Sequence, residues 1–174
     1  MKNQTPLSSY QWLVVAILAF TQFTVVLDFM VMSPLGDLLM KDLQVKPYQF
    51  GIVVSSYALA AGLSGFLTAG FADRFDRKHL LVFFYSGFII GTLFCGLAQS
   101  YEQLVMARIF TGIFGGVMSS ISMAIVADLF SLQQRGRVMG FMQMGFGLSQ
   151  ILGIPISLYI AAKSNWQTPF YMIV

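Results

Sequence analysis

Five apolar runs of about 20 residues each, separated by short connectors, leave this chain few folds to choose from. They cover residues 12–34, 48–72, 80–98, 104–126 and 138–162, and a sixth begins at 167. At roughly 20 residues per span and about 1.5 Å of rise per residue, the 174 residues hold five or six membrane helices. No room is left for an aqueous catalytic domain. Composition agrees, with 57% hydrophobic and only 10% charged residues. A soluble domain carries about 25% charged residues, and a fraction this low cannot cover a water-facing surface. The first run continues past Val26 without a small-residue cleavage site, so it reads as a permanent span and not as a secretory signal. Cys95, the single cysteine, lies inside an apolar run and forms no intrachain disulfide.

The net charge of +3 does not point to nucleic acid, because the basic residues sit mostly in the connectors. With the N-terminus inside, the inner segments hold Lys2, Arg74, Arg77, Lys78, Arg135 and Arg137, and the outer ones Lys41, Lys46 and Lys163. Six against three satisfies the positive-inside rule, so the expected N-terminus is cytoplasmic. Tyr10, Trp12, Tyr48, Tyr101 and Trp166 suit interfacial anchoring. Short connectors predict antiparallel neighbours throughout.

The helix faces are patterned. In the second span Gly51, Ser55, Ala58, Gly62, Gly65 and Ala69 form one small-residue stripe. It serves either as tight packing or as a sliding seam between two bundles, and both require a partner helix. In the fourth span Arg108 shares a face with Gly112, Gly115, Ser119 and Ser122. A guanidinium in hydrocarbon is costly, so Arg108 either faces a partner or wet cavity or snorkels to an interface. Asp28 is the one acid within a span, and burial disfavours its charged form. It reads as a proton or substrate handler, or as a structural carboxylate that hydrogen-bonds a neighbouring helix or pairs with Arg108. Gln22 and Thr24 can extend a polar lining. The fifth span presents Gln143, Gly147 and Gln150 on one face and Gly145, Ser149, Gly153 and Ser157 on another. Pro155 inside it removes a backbone hydrogen bond and invites a kink.

The segment between the second and third spans resembles the signature loop of the major facilitator superfamily, G-x-L-A-D-R-x-G-R-K-x-x-L. Ala72, Asp73, Arg74, Arg77, Lys78 and Leu81 match it, and Phe71 replaces the leucine. Ala69 and Asp76 stand at its two glycine positions; Asp76 is the sharper departure, since a turn glycine permits angles that Asp adopts less readily. Arg108 with Gly112 and Gly115 is similar to the family's fourth-helix pattern. The stretch from Asp128 to Arg137 resembles its second cytoplasmic loop, and Gly153 with Pro155 resembles the glycine–proline element of its exporters. The first helix, with Asp28 and Pro34, is similar to efflux permeases of the sugar and nucleoside branch.

The resemblance implies an all-α polytopic protein: the N-terminal six-helix bundle of a major facilitator fold, truncated within its sixth helix, with a C-terminal half missing as its partner. It implies a bacterial inner-membrane location and a cytoplasmic latch formed by Asp73, Arg74, Arg77, Lys78 and Asp128. Asp73 and Arg77, four residues apart, can meet across one turn. The implied function is secondary transport: export of a small polar solute such as a sugar or nucleoside, or of a drug, driven by protons through Asp28 and lined by Arg108, Gln22, Gln143 and Gln150. A truncated, non-transporting membrane piece is the alternative. A membrane-embedded enzyme is disfavoured, since neither H-E-x-x-H nor G-x-S-x-G occurs. No cofactor is expected, and no metal, because His79 is the single histidine.

Overall fold

The computed structural model describes residues 7–69 and 75–174, and among these every regular element is helical. Helix α1 runs Ser9–Val31, α2 Gly36–Asp42, α3 Pro47–Ala69 and α4 Arg77–Leu97. They are followed by α5 Tyr101–Leu129, α6 Leu132–Leu148, a π segment Ser149–Gly153, α7 Ile154–Lys163 and α8 Thr168–Ile173. Five stretches are long and apolar enough to cross a membrane: Ser9–Val31, Pro47–Thr68, Arg77–Leu97, Tyr101–Leu129 and Leu132–Lys163.

Local chemistry starts these helices where they start. Ser8 and Gln11 cap α1 reciprocally, Gln11 N–H donating to Ser8 Oγ (3.2 Å) and Ser8 N–H to Gln11 Oε1 (3.0 Å). Ser100 Oγ accepts from the Gln103 amide at the head of α5. Asp76 caps α4 by accepting from the Lys78 and His79 amides at 2.9 and 3.1 Å. Its backbone is extended, with φ −61°, so the position where the signature loop carries glycine needs no left-handed conformation here.

Two features lie beyond the sequence pattern. The first helix stops at Val31, and after a turn the chain forms α2, whose Leu39 is fully buried. Pro155 is accommodated by the π segment: Ile154 N–H reaches back five residues to Ser149 O immediately before the proline. Widening the helix by one residue relieves the clash between a proline ring and the preceding turn.

Small residues set how closely the helices pack. A Cβ on Gly112 would lie 2.5 Å from the Tyr57 carbonyl oxygen, and one on Gly116 would collide with the backbone of Ala61. Helix α3 therefore lies directly against α5. A Cβ on Gly145 would strike the Ala19 carbonyl, and one on Gly153 the Leu27 side chain, so the Gly145, Ser149, Gly153 and Ser157 face of the fifth span is the one seated on α1. The α3 stripe behaves differently. Gly51, Ser55, Ala58 and Gly62 are exposed, Gly65 has only the Gly116 carbonyl near it, and an added Cβ at Gly51 or Gly62 meets nothing within 4 Å. Within this bundle the part of the stripe from Gly51 to Gly62 has no partner among the described residues.

Candidate functional site

Near the end of the bundle where α1 finishes, two charges from different helices meet in the interior. Asp28 on α1 is 0% exposed and Arg108 on α5 1%. Arg108 Nη1 donates to Asp28 Oδ2 at 2.7 Å, and Nη2 donates to the backbone carbonyl of the same aspartate at 3.1 Å. Thr92 on α4 donates its hydroxyl to Asp28 Oδ1 at 3.2 Å. Both carboxylate oxygens are thus occupied, one by charge and one by a neutral donor. Arg108 Nε, equally buried, has no hydrogen-bond partner among the described residues.

Aromatic rings and small polar groups complete the surroundings. The guanidinium carbon lies 5.2 Å from the centroid of Tyr57 and 5.7 Å from that of Phe170, within cation–π range of both. Tyr57 in turn packs on Phe29 at 5.3 Å. One helical turn beyond Arg108, the Thr111 hydroxyl donates to the Ala107 carbonyl (2.7 Å) and lies 3.6 Å from Cys95 Sγ. Burying two ions costs several kcal/mol each, which mutual attraction returns only with good geometry and satisfied lone pairs, so the pair is weak evidence for stability and better evidence for a role.

Of the residues read from the sequence as lining the site, the structure brings Asp28 and Arg108 together; the glutamines lie apart from them. Gln22 is half-buried on α1 with no side-chain hydrogen bond among the described residues. Gln143 and Gln150 are exposed, on the face of the fifth span turned away from α1. Gly112 and Gly115 are buried against Tyr57, whereas Ser119 is exposed and Ser122 buried. Thr92, Tyr57 and Phe170 carried no signal in the sequence, because uncharged polar and aromatic residues are common in apolar helices.

A second constellation occupies the opposite end. Arg77 Nε donates to Asp128 Oδ2 at 3.1 Å, joining the start of α4 to the end of α5. Arg135 donates to the carbonyls of Phe130 (3.1 Å) and Ala127 (2.6 Å), and Gln11 donates to that of Leu129 (3.3 Å). The last turn of α5, whose carbonyls lack helical partners, is thereby capped from α1 and α6. Lys78 is exposed beside this cluster, and the pairing of Asp73 with Arg77, like the place of Arg74, lies outside the described residues. The amide of His79, with that of Lys78 and the His79 imidazole at 3.2 Å, holds the Asp76 carboxyl below the usual carboxylate range.

Comparison with known proteins bears on the family and the fold. A family model described as Major Facilitator Superfamily matches residues 18–174. An uncharacterized MFS-type transporter, YceJ, of Bacillus subtilis is 30% identical over 151 residues, 87% of this chain and 38% of that protein. Multidrug resistance protein 3 of the same organism is 33% identical over 126 residues, 72% of this chain and 25% of that protein. The chain therefore spans well under half the length of these relatives. In fold it matches a bacterial homologue of the human lysosomal transporter Spinster, solved in an inward-facing, occupied conformation, with a TM-score of 0.81 at 18% identity, over 97% of this chain and 42% of that one.

Proposed function

The chain belongs to the major facilitator superfamily and is a multi-pass membrane protein, and on that premise we propose that it is the N-terminal bundle of a proton-coupled secondary transporter. The buried Asp28–Arg108 pair carries this reading. Protonating Asp28 removes the negative charge facing the guanidinium. The ionised carboxylate is the acceptor for which a hydroxyl or cationic group of the solute competes with the proton, so protonation releases the solute while Arg108 keeps its bond to the Asp28 carbonyl. Loss of the proton restores the acceptor for the next solute. One carboxyl group thereby exchanges proton for solute, which is the elementary step of an antiporter.

Alternating access needs a second bundle to rock against this one. The unpartnered stripe of Gly51, Ser55, Ala58 and Gly62 on α3 offers a surface on which a complementary C-terminal half slides. The Arg77–Asp128 pair, with Lys78, then acts as a latch at the cytoplasmic end, with the N-terminus on that side of the bacterial inner membrane. The resemblance of Gly153 and Pro155 to an exporter element supports export, and that of the first helix around Asp28 and Pro34 to sugar and nucleoside efflux permeases supports a sugar, a nucleoside or a drug as solute. The test is uphill uptake into inverted vesicles that contain both halves, the direction that corresponds to export from the cell, using a labelled sugar, a labelled nucleoside and a fluorescent cationic dye as probes. Asp28→Asn is expected to abolish pH-driven movement of whichever probe the unsubstituted protein carries. Undiminished export by that variant removes Asp28 from the coupling role.

A further inference from the structure

At the end of the bundle nearest the buried pair, a hydrogen bond ties α2 to the turn that leads into α8. Trp166 Nε1 donates to Asp42 Oδ2 at 2.8 Å, and the indole is 1% exposed. The indole meets Phe170 edge-on, with centroids 6.3 Å apart and planes at 81°. Phe170 in turn faces the Arg108 guanidinium at 5.7 Å. A line of contacts thus runs from Asp42 through two rings to the cation. It closes on itself, because Arg108 holds Asp28 on α1, and α1 leads through the buried Met32 and Leu35 into α2.

We propose that Asp42 and Trp166 form a clasp that positions the Arg108 guanidinium through Phe170, making both of them positioning residues for the buried pair. Phe170 lies in the first turn of α8, and the anchors on either side of it set its location. Two of these anchors lead to α4: Tyr171 Oη donates to the Gly96 carbonyl at 2.6 Å, and Gln167 Nε2 to that of Ala98 at 3.4 Å. The Asp42–Trp166 bond ties the same segment to the α1–α2 side, so Phe170 is drawn over the pair from both directions. Arg108 depends on such a wall. With Nε unpartnered, its guanidinium plane is oriented by its two bonds to Asp28 and by the Tyr57 and Phe170 rings. The carboxylate of Asp42 suits its part, since an ionised acceptor holds an N–H more firmly than a neutral one.

The clasp acts on the same pair on which the transport reading rests, but it can be tested without transport, so either can fail alone. Cys95 is a built-in probe: it lies three residues beyond Thr92 and beside Thr111, is fully buried, and is the single cysteine of the chain. Labelling it with a membrane-permeant maleimide reports local opening around the pair. Asp42→Leu and Trp166→Phe are expected to speed labelling about tenfold, the scale of one charge-assisted hydrogen bond acting on a local opening equilibrium. Asp42→Asn keeps an acceptor but not its charge, and is expected to label at a rate between those of the unsubstituted protein and Asp42→Leu. The reciprocal measurement uses Trp166 emission in a Trp12→Phe background, which leaves one tryptophan of the two. Arg108→Lys keeps the charge but loses the planar group that faces Phe170, and is expected to shift that emission, as is Phe170→Leu. Unchanged Cys95 labelling in both Asp42→Leu and Trp166→Phe overturns the proposal, and so does Trp166 emission indifferent to Arg108→Lys.

Discussion

Arg108 grips Asp28 twice, with one nitrogen on the carboxylate and another on the backbone carbonyl of the same residue. In the proposed exchange the second bond has a use. When the carboxyl group gains a proton, the guanidinium still has the carbonyl as an anchor, so the side chain can pivot about that point without leaving the site. The pair therefore has the geometry of a switch with a hinge.

A buried pair of this kind predicts an asymmetric mutational pattern. Removing one partner, as in Asp28→Leu or Arg108→Met, leaves the other charge uncompensated and is expected to cost about 3–5 kcal/mol. Replacing both together is expected to recover most of that loss. Denaturation of the detergent-solubilised protein checks this; a double variant as unstable as the sum of the singles contradicts it.

Helix α3 has one face that tolerates no bulk and one that does. Gly116→Val forces a side chain into the Ala61 backbone, and an overpacking cost of about 1–3 kcal/mol is expected. Gly62→Val on the exposed stripe meets nothing in this bundle, and its effect on the stability of the chain is expected to stay within about 0.5 kcal/mol. If the stripe is a sliding seam, Gly62→Val nevertheless slows transport once the second half is present. Parallel stability and transport assays separate the two effects.

The α4 cap is acid-sensitive. Asp76 is ionised in the cap and its carboxyl is held below the ordinary value of about 3.9, first by the His79 amide. A group depressed in the folded state contributes stability that is complete above its unfolded value and lost as pH falls through its lower folded value. Amide protection at Lys78 and His79, taken as exchange relative to the unstructured rate at the same pH, is therefore expected to hold at neutral pH and to fall only below the usual carboxylate range. Asp76→Ala should lack that protection at every pH.

The Arg77–Asp128 pair is partly solvated, with side chains 25% and 60% exposed. Exposed pairs contribute about 0–1 kcal/mol, so Asp128→Asn should barely change unfolding. A latch acts between two conformations of similar energy, and even this small term alters their ratio. Site-directed spin-label distances across that end of the bundle should shift toward the open population in Asp128→Asn, whereas an unchanged distribution removes the latch.

The helices were legible because an apolar run long enough to span hydrocarbon has one way to satisfy its backbone. Asp28 and Arg108 stood out because charge is rare in such runs, but residues 80 positions apart give no sign in the sequence that they touch. The choice between pairing and separate roles needed the packing of α1 on α5. Thr92 and Phe170 were silent for a different reason: their types are ordinary in apolar helices, and only the third dimension places them against the pair. The α3 stripe shows the converse. Small residues at helical spacing announce a close approach, yet within this chain Tyr57, Ala60 and Ala61 beside it make that approach, and the stripe stays exposed. Helix α2 escaped notice because seven residues with mixed polarity show no usable period.

In the proposed mechanism Asp28 exchanges a proton for solute beside Arg108. The decisive measurement is uphill, pH-gradient-driven uptake into inverted vesicles containing both halves, comparing Asp28→Asn with the unsubstituted protein at equal membrane insertion. The variant is expected to lose concentrative uptake while retaining downhill exchange of the same probe. Concentrative uptake at the unsubstituted rate would remove Asp28 from the exchange.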